Sequence, residues 1–184
     1  MSKEAIVFPG IGYHKDKPLL YYSIRIAKAA GYSVRSVDLS SISWEKKDLK
    51  DPVRMREIFD LAMDLVRSGI GISDEDELLF ISKSIGTVAA ACYAREKGLK
   101  AKQIYFSPLV FFGEYADRDG IAFYGDADPL ADAGKIRSIC DEKGITSYMI
   151  SGGNHSLETG DTDTDLKNLS VMMKMAEEYI CGGI

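Results

Sequence analysis

The sequence predicts an α/β protein, a three-layer sandwich with a mostly parallel sheet of about six strands between layers of helix. Three observations carry this. Short β-rich runs alternate with helix-length amphipathic segments along the chain, the pattern of parallel strands joined by crossover helices. Most of the runs stop at a turn containing Gly or Pro. The chain has 184 residues, 46% apolar and 28% charged, enough for one domain with its own core. We expect a single domain over residues 1–184.

Residues 5–8 are a first strand, stopped by Pro9-Gly10. Pro18 opens a helix at a favoured first-turn position and Gly31 closes it. Leu19, Tyr22, Ile26 and Ala29 recur inside it at helical spacing. Residues 32–39 alternate, with Val34 and Val37 among polar neighbours, and read as a thin second strand. Residues 40–50 are polar and hold the only tryptophan, Trp44. Asp51-Pro52 is a cap followed by a first-position proline. The helix it starts runs through Met55, Ile58, Phe59, Ala62, Met63 and Val66 to Gly69.

The acidic run 74–77 reads as a solvated turn. A third strand, 78–81, ends in Ser82-Lys83-Ser84-Ile85-Gly86, and a small-residue helix follows at once to Gly98. Strands at 103–106, 121–124 and 147–150 complete the sheet. The first two are joined by an aromatic-rich connection and the last two by a helix over 132–143, closed by Gly144. A final amphipathic helix covers about 165–180.

Composition narrows the function. The formal net charge is −5 with no Lys/Arg cluster, which argues against a nucleic-acid partner. No apolar run reaches the length of a membrane span, and the N-terminus lacks the pattern of a signal peptide. Cys92, Cys140 and Cys181 are odd in number and far apart, against a disulfide framework or zinc site and in keeping with a reducing cytoplasm. Pro9-Gly10-Ile11-Gly12 lacks the third glycine of a dinucleotide fingerprint. The run 161–165 has Leu166 and Met172 where a calcium loop needs Gly and Glu. We expect no cofactor and no metal.

In a parallel sheet, ligands gather outside the carboxyl ends of the strands. The chemically distinctive residues lie there: Pro9-Gly10-Ile11-Gly12, Ser84, the pair Asp126 and Asp128, and His155. A strand-to-helix turn as short as 82–86 forces its apex, Ser84, into a strained conformation and lifts its side chain above the sheet edge. Each feature alone suits a cap, a turn or a loop. Together they stand in the order serine, acid, histidine, each just after a strand.

This order and setting resemble the α/β-hydrolase family over nearly the whole chain. The nucleophile elbow Gly-x-Ser-x-Gly is here Ser82-Lys83-Ser84-Ile85-Gly86, with Ser82 in place of the first glycine. The resemblance implies Ser84 as nucleophile and His155 as base. Asp128 is the implied acid, with Asp126 as the alternative. It implies an oxyanion hole from the Ile85 N–H and from Ile11 or Gly12. It also implies a sheet in which the first and third strands are neighbours and the second lies outside the first. His14 is a candidate lining residue. Phe111 and Phe112 either wall a shallow substrate pocket or pack in the core. Lys83 points away from Ser84, as adjacent residues in an elbow do.

The chain resembles the small members without a lid domain or extra leading strands. An open site favours a small soluble ester or thioester. A peptidase or amidase, and a non-catalytic binding protein of the same fold, are the other readings.

Overall fold

The structure, a computed structural model, describes residues 2–45, 47–72, 77–117 and 119–182. Residues 74–76 of the acidic run lie outside the described residues. The strands are β1 (Lys3–Phe8), β2 (Ser33–Ser36), β3 (Glu77–Lys83), β4 (Ala101–Phe106), β5 (Gly120–Gly125) and β6 (Thr146–Ile150). The α-helices are α1 (Pro18–Ala29), α2 (Pro52–Gly69), α3 (Ile85–Lys97), α4 (Ala133–Lys143) and α5 (Thr162–Ile180). The sheet order is β2-β1-β3-β4-β5-β6, and every pairing is parallel.

Side chains alternate across the sheet and fill two cores. Ile6, Phe8 and Phe80 face the layer of α2, α3 and α4, whereas Ala5, Val7, Leu79 and Ile81 face α1 and α5. The central strands are covered on both faces, so their sequences read as continuous apolar runs rather than alternating ones. The edge strand β2 is different. Only Val34 is half-buried and its neighbours are exposed, which is why the expected strand 32–39 shrinks to four residues.

Caps set most of the helix starts. Asp51 accepts from Val53 N at 2.9 Å and Pro52 takes the first turn of α2. Asp132 accepts from Lys135 N at 2.8 Å at the start of α4. Asp161 accepts from Thr164 N at 2.9 Å, so α5 starts at Thr162, earlier than the expected 165. Asp165 instead accepts from Thr159 N at 2.6 Å, holding the preceding loop against the helix.

The chain winds outward from β1 to β2 in one direction and from β3 to β6 in the other. The crevice of such a sheet opens where that direction reverses, between β1 and β3. Ser84 follows β3 directly, beside the loop that leaves β1.

Candidate active site

The elbow forms because strand and helix meet with no spacer. Ser84 has φ 55° and ψ −123°, a conformation that non-glycine residues rarely adopt and that costs on the order of 1–3 kcal/mol. Its own N–H donates to Phe106 O at 3.0 Å, and its carbonyl accepts from the Thr87 hydroxyl at 2.6 Å, so the strain is held from both sides. The close approach needs a residue without a side chain at Gly86. A Cβ there would lie 2.1 Å from Phe8 O and 2.6 Å from Pro9 O. Ser82 is fully buried, and its hydroxyl donates to Ile104 O at 2.8 Å. Serine therefore meets the need for a small residue there and leaves no buried polar atom unpaired.

Two loops converge on Ser84. After β5, the Asp128 side chain is 2% exposed, and its Oδ1 accepts from Leu130 N at 2.8 Å. After β6, His155 sits with Nδ1 2.7 Å from Asp128 Oδ2 and Nε2 2.7 Å from Ser84 Oγ. The two loops are knitted together. Asp126 Oδ1 accepts from Gly152 N at 2.6 Å and Gly153 O accepts from Ala127 N at 3.1 Å. A Cβ on Gly125 would lie 1.9 Å from Gly153 O, so glycine permits this contact. Of the two aspartates, Asp128 is the one on the imidazole, and Asp126 ties its loop to the histidine loop.

A hydroxyl on an imidazole that is itself oriented by a buried carboxylate is an arrangement that can activate the hydroxyl as a nucleophile. The His155 pKa is held below its ordinary 6.5, chiefly by burial and then by the charge of Lys83; the hydrogen bond and charge of Asp128 oppose this. The ring is thus held in the proton-accepting form near neutral pH.

The Ile85 N–H, at the first residue of α3, has no acceptor within the helix, as in any first turn. Across the crevice, Gly10 and Tyr13 pair their main chains at 3.2 Å in both directions, which puts Ile11 and Gly12 at the tip of a tight turn. Gly10 abuts the Ser84 Cβ. Ile11, Gly12 and His14 line a cleft of about 460 Å³ together with Val37, Leu39, Ile42 and Trp44. His14 is exposed, 3.6 Å from Asp16.

The aromatics of the β4–β5 connection lie elsewhere. Phe112 is fully buried against Tyr105, and Phe111 packs edge-on to Phe59 with the Arg56 guanidinium over its face. Neither ring lines the cleft beside the Gly10–Tyr13 turn. The aromatic in that cleft is Trp44, which lies in the polar stretch 40–50. Its signal was a lone tryptophan following the second strand, where site loops are found.

Lys83, expected to point away from Ser84, is 1% exposed, and its Nζ donates to His155 O at 2.7 Å. Strand parity held the clue, since Lys83 shares a face with Leu79 and Ile81.

Solved structures resemble this arrangement of strands and helices. Est1E from Butyrivibrio proteoclasticus, in a structure with ferulic acid bound, has a TM-score of 0.68 at 11% identity, covering 98% of this chain and 88% of that one. An esterase from Pyrococcus furiosus has a TM-score of 0.64 at 10% identity, covering 97% and 82%. An α/β serine hydrolase without a lid, from Xanthomonas campestris, has a TM-score of 0.58 at 17% identity, covering 97% and 80%.

The chain has the α/β-hydrolase fold. The expected strand order, with the second strand outside the first, is the one observed. No family model and no curated protein matches the sequence. Among the described residues, no helix is long and apolar enough to cross a membrane.

Proposed function

We propose that this protein is a serine hydrolase that cleaves a small ester or thioester through an acyl-enzyme intermediate. The observation that carries the reading is the unbroken hydrogen-bonded line from Ser84 Oγ through His155 to Asp128, at a strained elbow beside an open cleft. Esterases among proteins of the same fold support it.

His155 Nε2 takes the hydroxyl proton as Ser84 Oγ attacks the acyl carbon. Asp128 holds the Nδ1 proton and stabilises the imidazolium that forms. The tetrahedral oxyanion accepts hydrogen bonds from the Ile85 N–H and from the turn at Ile11 or Gly12; one such donor is worth on the order of 100- to 1000-fold in rate. His155 then gives its proton to the departing alcohol or thiol. Water, deprotonated by the same imidazole, attacks the acyl-serine, and collapse releases the acid and restores Ser84. His155 carries every proton transfer while Asp128 stays ionised and orients it, so the cycle needs no cofactor.

The cleft walled by Ile11, Leu39, Ile42 and Trp44 receives the substrate's apolar part, with His14 at its rim. We take residues 1–184 as one hydrolase domain without a lid, since the described residues between β4 and β5 hold only the short 3₁₀ turn Val110–Glu114 as regular structure. Cys92 and Cys140 are free and buried and Cys181 is free and exposed, in keeping with a reducing compartment.

A panel of short p-nitrophenyl esters, acyl thioesters and aminoacyl amides, run on wild type and Ser84→Ala, tests the reading. We expect turnover of esters or thioesters that is lost in the variant. Turnover confined to the amides replaces the esterase with an amidase, and no turnover of any class counts against a hydrolase.

A further inference from the structure

The proposed cycle gives Lys83 no step, yet this lysine is an expensive residue to keep. An ammonium buried in a core costs several kcal/mol unless it is well paired, and an apolar residue would fit strand β3 there. Its Nζ donates to the main-chain oxygen of His155 at 2.7 Å. The Ser107 hydroxyl, at the end of β4, donates to the same oxygen at 2.9 Å. Ser107 is itself buried and held at φ 44°, with its N–H on Phe123 O at 2.7 Å. Lys83 Nζ also lies 5.1 Å from the centroid of the Tyr13 ring, within cation–π range. Tyr13 closes the turn that carries Ile11 and Gly12, and its hydroxyl accepts from Leu19 N at 3.2 Å.

We propose that Lys83 and Ser107 are positioning residues for His155. Together they grip its carbonyl from two adjacent strands, and Lys83 ties the histidine loop to the oxyanion turn through Tyr13. The inference rests on the reading of His155 as the catalytic base. The residue just before the nucleophile thus sets where the base stands.

The charge of Lys83 acts on the imidazole as well. It disfavours a second positive charge on His155, while Asp128 favours one. Around Lys83 itself, burial pushes the ammonium pKa down to about 7; Asp128 and Glu158 pull it up and Lys17 pushes it down. Lys17 reaches the same Tyr13 ring, 5.1 Å from its centroid. As the pH falls through about 7, Lys83 gains its charge, and that charge resists protonation of His155.

The test combines steady-state kinetics with an NMR pH titration of the two histidines in wild type, Lys83→Met and Ser107→Ala, the His155 signal being identified with His155→Gln. In Lys83→Met, the His155 titration and the acid limb of kcat/KM both move to higher pH. There kcat falls by up to about 100-fold with KM nearly unchanged, as for a slightly misplaced base. In Ser107→Ala, kcat falls while the His155 titration stays in place, because no charge is removed. A Lys83→Met protein with wild-type kcat and an unmoved His155 titration overturns the proposal. The titration needs no turnover, so it is read separately from the hydrolase reading, which fails instead if wild type cleaves none of the substrate panel.

Discussion

Replacing Lys83 by methionine should stabilise the folded protein at neutral pH. The ammonium is 1% exposed, and burial lowers its pKa from 10.5 to about 7. At about 1.4 kcal/mol per pH unit, holding the charge in the core at or below pH 7 costs on the order of 5 kcal/mol. Between about pH 7 and 10.5 the unfolded chain keeps the lysine proton while the folded chain releases it. Wild-type stability therefore rises with pH through that window, and the cost is gone above it. Methionine fills nearly the same space without charge. It gives up one hydrogen bond, worth about 1 kcal/mol, on a carbonyl that the Ser107 hydroxyl still occupies. The net gain at pH 7 is about 3–4 kcal/mol. Urea unfolding at pH 7 and pH 10 measures it. The variant should have the higher midpoint at pH 7 with an unchanged slope, and the gap should narrow at pH 10. A variant less stable than wild type at pH 7, or a gap that does not narrow, would refute the reasoning. A gain in stability joined to a loss of kcat would mark Lys83 as a residue that trades stability for function.

The other predictions concern the reaction. Asp128→Asn should lower kcat on the order of 10⁴-fold by presenting the wrong partner to the His155 N–H; Asp126→Asn, at a carboxylate that accepts from Gly152 N, should stay within about tenfold on the same scale, and equal losses would reassign the acid. Because the His155 pKa lies below 6.5 and only the free base accepts the serine proton, kcat/KM should be at its plateau at pH 7 and fall on acidification below 6.5. An acid limb centred above pH 7 contradicts that environment. Trp44→Ala should raise KM about tenfold for esters with a bulky acyl or aryl group, the scale of a lost apolar contact, and leave acetate esters nearly unchanged; equal effects on both would remove Trp44 from the pocket.

Much of the fold is legible in the sequence because its local signals agree. Asp51-Pro52 names a helix start, and the tight 82–86 turn names an elbow. Central strands buried on both faces announce themselves as apolar runs. Legibility drops where one residue type serves two environments. The expected third strand stopped at Ile81, since Ser82 and Lys83 are polar, yet β3 runs on through both. Polarity signals exposure, and at this place a hydroxyl and an ammonium are buried with carbonyl partners from neighbouring segments. Phe111 and Phe112 suited a pocket wall or a core equally well, and only the packing of Tyr105 and Phe59 decides between them. Asp126 and Asp128 differ by two positions in one loop. What separates them is which one meets the β6–α5 loop through an imidazole and which through a main-chain N–H, a tertiary fact. Trp44 lay in a polar stretch with no periodicity, so its place in the cleft came from chain path rather than pattern.

The central claim is that Ser84 is a nucleophile activated by His155. Intact-protein mass spectrometry after treatment with a fluorophosphonate reads this directly. Wild type should gain one phosphonyl adduct, mapped to the peptide that carries Ser84, while Ser84→Ala gains none and His155→Gln reacts far more slowly. An adduct that persists in Ser84→Ala, or one that forms as fast without His155, would contradict the account.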